Sequence, residues 1–189
     1  METKDFILAS GSPQRKKLLE QIGFVPKKIE VADIDESVKK GEQATAYVKR
    51  LALEKAEKVS KNNAGEIVLG SDTVVVVGKK ILHKAKDDEE QTRVMELLSG
   101  RSHRVITAVC VINKKGVKSL KVVTTKILMK KLTPKEISDY VAAGRWVGCC
   151  GFRIEDIEAF VRKIIGSYSG VVGLPLYEAK NMLIGAGVK

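Results

Sequence analysis

The stretch Leu69-Gly70-Ser71-Asp72-Thr73-Val74-Val75-Val76-Val77 constrains the fold most, because it sets a carboxylate inside an apolar, β-branched run. Ile67 to Leu69 and Val74 to Val77 read as buried strand. Gly78-Lys79-Lys80 reads as a turn, with Ile81-Leu82 as the returning strand of a hairpin. A charge in such surroundings is costly unless a cation, a metal ion or backbone N–H groups pair with it. Gly-Ser-Asp-Thr also suits an ordinary turn around Asp72. The choice between these readings depends on what the rest of the chain brings to Asp72.

Upstream, Phe6 to Ala9 reads as a short strand running into Ser10-Gly11-Ser12-Pro13 and a helix that carries Leu18, Leu19 and Ile22. Ser12 suits the N-cap, Pro13 the first helical position and Gly23 the position past the end. A small-residue turn at a helix N-terminus offers free N–H groups and the positive end of the dipole to an anion. Arg15 sits in the first turn, where the dipole disfavours a cation, so a phosphate would explain it; a surface Arg on an ordinary strand-turn-helix is the plainer account. Asp33, Asp35 and Glu36 follow a possible strand and suit either a divalent cation or a solvated acidic loop. Gln43 to Val59 is helical in pattern, with Val48, Leu51, Ala52 and Val59 on one stripe. Lys55 falls on or beside that stripe, either snorkelling or pointing inward to an anion.

Downstream, Asp87 and Glu90 resemble a capping pair for a helix carrying Val94, Leu97 and Leu98. His103 to Ile112 and Val117 to Met129 read as a second hairpin about a turn at Asn113 to Gly116. Thr133-Pro134-Lys135-Glu136 is a helix start, and a further helix is expected over Ile157 to Ile165. Gly166 to Gly173 is a glycine-rich loop that suits either a ligand or a tight connection, and a helix over Leu174 to Ile184 closes the chain. Helices alternating with strands and two hairpins predict an α/β or mixed α+β fold with a mixed sheet, without a strict βαβ repeat.

The net charge of +11 favours anionic partners, but the lysines form no long basic run and aromatics are only 5%. No helix-turn-helix signature is visible, which argues against a nucleic-acid or division-regulating binder. Three cysteines, two of them adjacent, make no disulfide framework. No apolar run reaches the roughly 20 residues a bilayer span needs, and Met1 is followed by charged residues, so the expectation is a cytoplasmic protein with no membrane partner.

Six segments in order resemble the Maf family of nucleoside triphosphate pyrophosphatases. They are Leu8 to Arg15, Asp35-Glu36-Ser37, Leu51 to Ala56, Gly70 to Val75, Leu98 to Val105 with the Trp146 segment, and Gly166 to Leu176. The resemblance implies a single domain over 1–189, an elongated two-lobed fold with a central cleft like that of inosine triphosphate pyrophosphatases. It implies hydrolysis of a nucleoside triphosphate between the α and β phosphates, with a divalent cation (Mg²⁺ or Mn²⁺) as cofactor and often a homodimer. It casts Asp72 as proton acceptor and Glu36 as its supporting carboxylate, the two holding the metal. Ser10, Arg15, Lys55 and Lys84 become the triphosphate clamp, and Gln14, Thr73 and Glu155 the positions that set the base.

Three departures matter. Ala85 stands where Pro usually follows Lys84, Cys149-Cys150 where Lys-Ala is usual, and Glu155-Asp156 where Gln-Gly is usual. Members specialised for dTTP and UTP typically carry Arg, Thr and Gln at the positions of Gln14, Thr73 and Glu155, and those preferring 7-methyl-GTP carry Trp, Gln and Glu. An ionised Glu155 only accepts hydrogen bonds. It would suit the amino group of cytosine or the N1 and N2 groups of guanine better than the O4 of thymine or uracil. Glu155 alone therefore predicts an enzyme not confined to dTTP and UTP.

Overall fold

The computed structural model describes residues 2–189. β1 (Thr3–Ala9) runs into α1 (Pro13–Gln21), β2 (Val25–Ile29), a segment without regular structure and α2 (Ala44–Asn62). β3 (Val68–Val77) and β4 (Lys80–Leu82) form the first hairpin, and α3 (Asp88–Leu98) leads to the second, β5 (Ser102–Ile112) with β6 (Lys118–Met129). α4 (Pro134–Ala142), α5 (Ile154–Ile157) and a 3₁₀ turn (Glu158–Phe160) precede β7 (Val161–Ile165), α6 (Tyr168–Val172) and α7 (Leu176–Gly185). The seven strands make one mixed sheet in the order β2-β1-β3-β5-β6-β7, with β4 also on β3. The mixed α/β architecture agrees with the sequence pattern.

β3 is one continuous strand, so Asp72 lies in a strand and the turn reading fails. β5 covers one edge of β3 from Val68 to Val76. The other edge is shared: β1 pairs parallel with Val68 to Gly70, and β4 pairs antiparallel with Val75 to Val77. Ser71 to Val74 between them have no strand on that edge. The gap opens where β1 turns away into α1, so the carboxyl end of a parallel strand pair and a helix N-terminus meet there. Open sheets bind ligands at such crevices.

Helices gather in two groups. α2 covers one face of β1, β3 and β5 over Val48, Leu51, Ala52, Ala56, Val74 and Ile106. α1 and α7 cover the opposite face over Leu8, Leu19, Leu69, Val109, Leu174 and Leu183. The second group, α3, α4 and α5, packs around the far ends of β3, β5 and β6 through Val75, Leu98, Ile127, Tyr140, Trp146 and Ile154.

The local signals held where capping chemistry is explicit. Ser12 caps α1 by accepting from the Arg15 backbone N–H at 3.5 Å, and Thr133 with Glu136 forms a complete capping box on α4. Asp87 caps α3, but Glu90 reaches the Lys86 backbone N–H rather than that of the cap residue. The helix expected over Ile157 to Ile165 is instead the short α5, a 3₁₀ turn and strand β7. Val161, Ile164 and Ile165 are β-branched and pair antiparallel with the end of β6, so sheet pairing overrides the weak helical periodicity.

Candidate active site

A cleft of about 770 Å³ lies at the gap in the β3 edge, within the range of small-molecule sites. Its walls include all nine residues singled out from sequence: Ser10, Gln14, Arg15, Glu36, Lys55, Asp72, Thr73, Lys84 and Glu155.

α2 is the frame for one wall. Gly70 lets this helix approach β3 closely, since an added Cβ would lie 2.6 Å from the Ala52 carbonyl oxygen and 2.9 Å from the Ala56 nitrogen. Asp72 is two residues on and faces the same helix. Lys55, one turn along α2 from Leu51, therefore points inward, and its ammonium lies 2.6 Å from the Asp72 carboxylate. Both side chains are about nine-tenths buried. The same ammonium lies 2.8 Å from Glu36. Tyr47 donates its hydroxyl to the Glu36 carbonyl at 2.7 Å, and Arg50 donates to the Ser37 carbonyl at 2.9 Å. Three α2 side chains thus fix an otherwise irregular segment so that its carboxylate meets Asp72 across one cation.

The opposite wall is built on α1. Arg15 lies on the cleft side of the helix start, held at three points. It donates through Nε to the Gly173 carbonyl at 2.8 Å, to Ser10 Oγ at 2.9 Å and to Thr73 Oγ1 at 3.4 Å. Gly173 has φ +133°, a conformation that glycine alone adopts readily, and its carbonyl also accepts from the buried Ser71 hydroxyl at 3.2 Å. Lys84 is exposed at the rim, where its backbone bridges to Cys150.

Electrostatically this end is anion-seeking: three cations, Lys55, Arg15 and Lys84, face two carboxylates beside a helix N-terminus. Burial works to raise the Glu36 carboxyl, but Lys55, Lys84 and Arg15 together hold it below the ordinary carboxylate range. Burial pushes the Arg15 guanidinium down, against the opposing pull of Asp72, Cys150 and Glu36. Burial likewise pushes the Cys150 thiol up to about 11.

The three residues expected to set the base are held differently. Gln14 accepts from the Ser12 hydroxyl at 3.3 Å. Thr73 is already engaged, with Thr107 at 3.0 Å and with Arg15. Glu155 is exposed in the first turn of α5. Val75, Phe152, Val171 and Val172 add apolar surface to the cleft lining.

Sequence reasoning missed several contributors. Tyr47 lies four residues before Leu51 on the buried α2 stripe and reads as core. Gly173 was visible only as part of a glycine-rich loop. Arg153, Cys149 and Cys150 line the cleft from a segment with no periodicity to flag them.

For a metal, no group of three or more His, Cys, Asp or Glu side chains is gathered among the described residues. Asp72 and Glu36 offer two carboxylates on one side of the cleft. That donor set suits a hard cation such as Mg²⁺, which keeps several waters and completes its shell with substrate phosphates.

Comparison with known proteins identifies the family. The family model described as Maf-like protein matches residues 5–186. A dTTP/UTP pyrophosphatase of Zymomonas mobilis is 46% identical over 183 residues, covering 96% of this chain and 91% of that protein. Proteins of the same name from Rhodopseudomonas palustris and Agrobacterium fabrum are 44% and 45% identical over 189 residues, each covering 96% of this chain and 91% of the relative. A crystal structure of a nucleoside-triphosphatase / dITP/XTP pyrophosphatase from Mycobacterium abscessus aligns with 68% of this chain and 73% of its own at 15% identity, with a TM-score of 0.40 too low to bear on the site. With the match extending across nearly its whole length, the chain belongs to the Maf family.

Proposed function

We propose that this nucleoside triphosphate pyrophosphatase takes dTTP and UTP, cutting between the α and β phosphates to release the monophosphate and pyrophosphate. The observation that carries the reaction is the Lys55 ammonium between Asp72 and Glu36, at 2.6 and 2.8 Å, beside the α1 N-terminus. Water attack on phosphorus needs positioning, charge neutralisation and a base, and little else from the protein. In this reading Asp72 accepts the proton of the attacking water. Lys55 orients that carboxylate and, with Arg15, Lys84 and Ser10, takes up charge on the pyrophosphate leaving group. Glu36 and Asp72 would hold a divalent cation, which supplies Lewis-acid polarisation of the phosphates when bound. Gln14, Thr73 and Glu155 border the base. The base preference rests on the relatives named dTTP/UTP pyrophosphatase at 42–46% identity. It replaces the expectation drawn from Glu155 alone, which weighed the O4 acceptor of thymine and uracil and left out their N3–H donor.

The test is pyrophosphate release from dTTP, UTP, CTP and GTP with Mg²⁺ or Mn²⁺. We expect dTTP and UTP to exceed CTP and GTP in kcat/KM by at least about tenfold, the worth of one good hydrogen-bonded base contact. Equal rates on all four would reject the base assignment, and release of orthophosphate alone would reject the reaction. The homodimer belongs to the same proposal, with Tyr177 and Ile184 exposed seven residues apart on α7 as its apolar face. Light scattering of the purified chain tests it.

A further inference from the structure

Thr107 lies in the middle of β5, is 1% exposed and has no part in the reaction described above. The strand register sets it directly opposite Thr73 on β3, and the two hydroxyl oxygens lie 3.0 Å apart. Threonine pairs are ordinary between neighbouring strands. What distinguishes this pair is where its two protons go.

A hydroxyl has one proton and two lone pairs. Thr107 Oγ1 lies 2.7 Å from the Gly170 carbonyl oxygen, which can only accept, so the Thr107 proton is committed there. In its contact with Thr73, Thr107 is therefore the acceptor and Thr73 the donor. The other acceptor within reach of the Thr73 proton is the Gly173 carbonyl, at 3.4 Å. That oxygen has two lone pairs and two nearer donors, Arg15 Nε at 2.8 Å and Ser71 Oγ at 3.2 Å. With its proton turned inward, Thr73 meets Arg15 with a lone pair and accepts from Nη2 at 3.4 Å. The chain of donors runs one way, from Arg15 through Thr73 and Thr107 to Gly170.

Gly170 lies within α6 and Gly173 just past its end, so Thr107 also ties down the segment whose carbonyl receives Arg15 Nε. Two of the three bonds on Arg15 thus lead back to Thr107, and the third goes to Ser10. A guanidinium has five N–H donors, and these three bonds leave two for a ligand among the described residues. Arginine holds phosphate best when two donors meet it together, which requires the planar fork to be fixed in place.

We infer that Thr107 is a positioning residue for the substrate phosphates: it directs the Thr73 hydroxyl and anchors α6, and so holds the Arg15 guanidinium in one orientation at the cleft. The inference rests on the reading of Arg15 as part of the triphosphate clamp and is tested apart from it.

The experiment is calorimetric titration of inorganic triphosphate into wild type, Thr107→Val, Thr107→Ser, Arg15→Ala and the double variant Arg15→Ala/Thr107→Val. Inorganic triphosphate carries no base, so base recognition does not enter. Thr107→Val removes the hydroxyl and keeps a β-branched side chain suited to the strand. We expect it to weaken binding by about 3- to 10-fold, the worth of one hydrogen bond. Thr107→Ser should bind like wild type. In the Arg15→Ala background Thr107→Val should have no further effect, because the residue through which it acts is gone. Thermal unfolding shows which variants are folded. Should Thr107→Val unfold, Thr73→Val breaks the same link from the cleft side and takes its place in the cycle, with the same expected outcomes. A wild type that does not bind inorganic triphosphate, or an Arg15→Ala variant that binds it equally well, overturns the clamp reading and the inference with it. If Arg15→Ala weakens binding, three results overturn the inference alone: full affinity without the Thr107 link, the same loss in both backgrounds, or a Thr107→Ser variant as weak as Thr107→Val.

Discussion

The two ends of the cleft are built on opposite principles. At the α2–β3 end two cations already have protein partners, Lys55 with Asp72 and Glu36 and Arg15 with Ser10, Thr73 and Gly173, while Lys84 stays exposed at the rim. At α5 and the residue before it, Arg153 Nε and the Asp156 Oδ2 oxygen are buried without a partner, and Glu155 is exposed. Groups that must be in place before substrate arrives are fixed by helix α2 and strand β3, the rigid core of the sheet. In the proposed reading Glu155, one of the residues bordering the base, sits instead on a short helix after a loop. Of the departures from the usual family residues, Cys149, Cys150, Glu155 and Asp156 fall in or just before that segment, while Ala85 stands beside Lys84.

The sharpest way to break this contrast is Asp72→Asn. If Asp72 is the base, the variant should fold and lose about 10²- to 10⁴-fold in kcat, measured by pyrophosphate release. Near-wild-type turnover by a folded variant would remove the reacting end from where we place it.

Arg15→Ala comes next. A hydrogen bond to a charged group contributes roughly 1.5–3 kcal/mol, so kcat/KM should fall by about 10- to 100-fold, equally for dTTP, UTP and CTP. A changed base ratio at unchanged overall activity would place Arg15 at the base end instead.

Gly70→Ala probes the frame itself. With the Ala52 carbonyl 2.6 Å from the new Cβ, α2 must move off β3 and carry Lys55 from Asp72. Overpacking of this kind costs about 1–3 kcal/mol, readable in chemical denaturation, and turnover should drop with it. Unchanged stability would mean that the close approach is not required.

The smallest effect concerns the second helix group. His103 is buried with both ring nitrogens unpartnered, edge-on to Phe152 at 5.3 Å, and burial pushes its pKa down to about 4. The unfolded chain holds the proton at higher pH, near 6.5. Between these values the unfolded state binds more protons, so stability rises with pH and is lost as pH falls from about 6.5 toward about 4. At pH 5.5 the loss from this residue is about 1 kcal/mol. Denaturation curves for wild type and His103→Phe should converge in slope above pH 7 and differ below pH 6; identical pH dependence would clear His103 of the effect.

What could be read before any coordinates were chiefly local. Ser12-Pro13 and Thr133-Pro134-Lys135-Glu136 announced helix starts because a cap is made within four residues. The two hairpins were legible because turn and alternation lie side by side in the chain. Composition and motif order also carried the family. Residues 157–165 were misread because a strand that joins the sheet edge takes its hydrogen bonds from β6, about 35 residues away, and no local pattern encodes that partner. The same limit governs the site. Sequence marked Asp72 as a charge needing a partner and Lys55 as a cation near an apolar stripe, and left both readings of each open. Only the tertiary structure joined them, through the glycine that brings α2 onto β3, and only it set Gly173 on Arg15 across 158 residues. Pairings between distant segments are decided by packing geometry, which depends on the whole core at once.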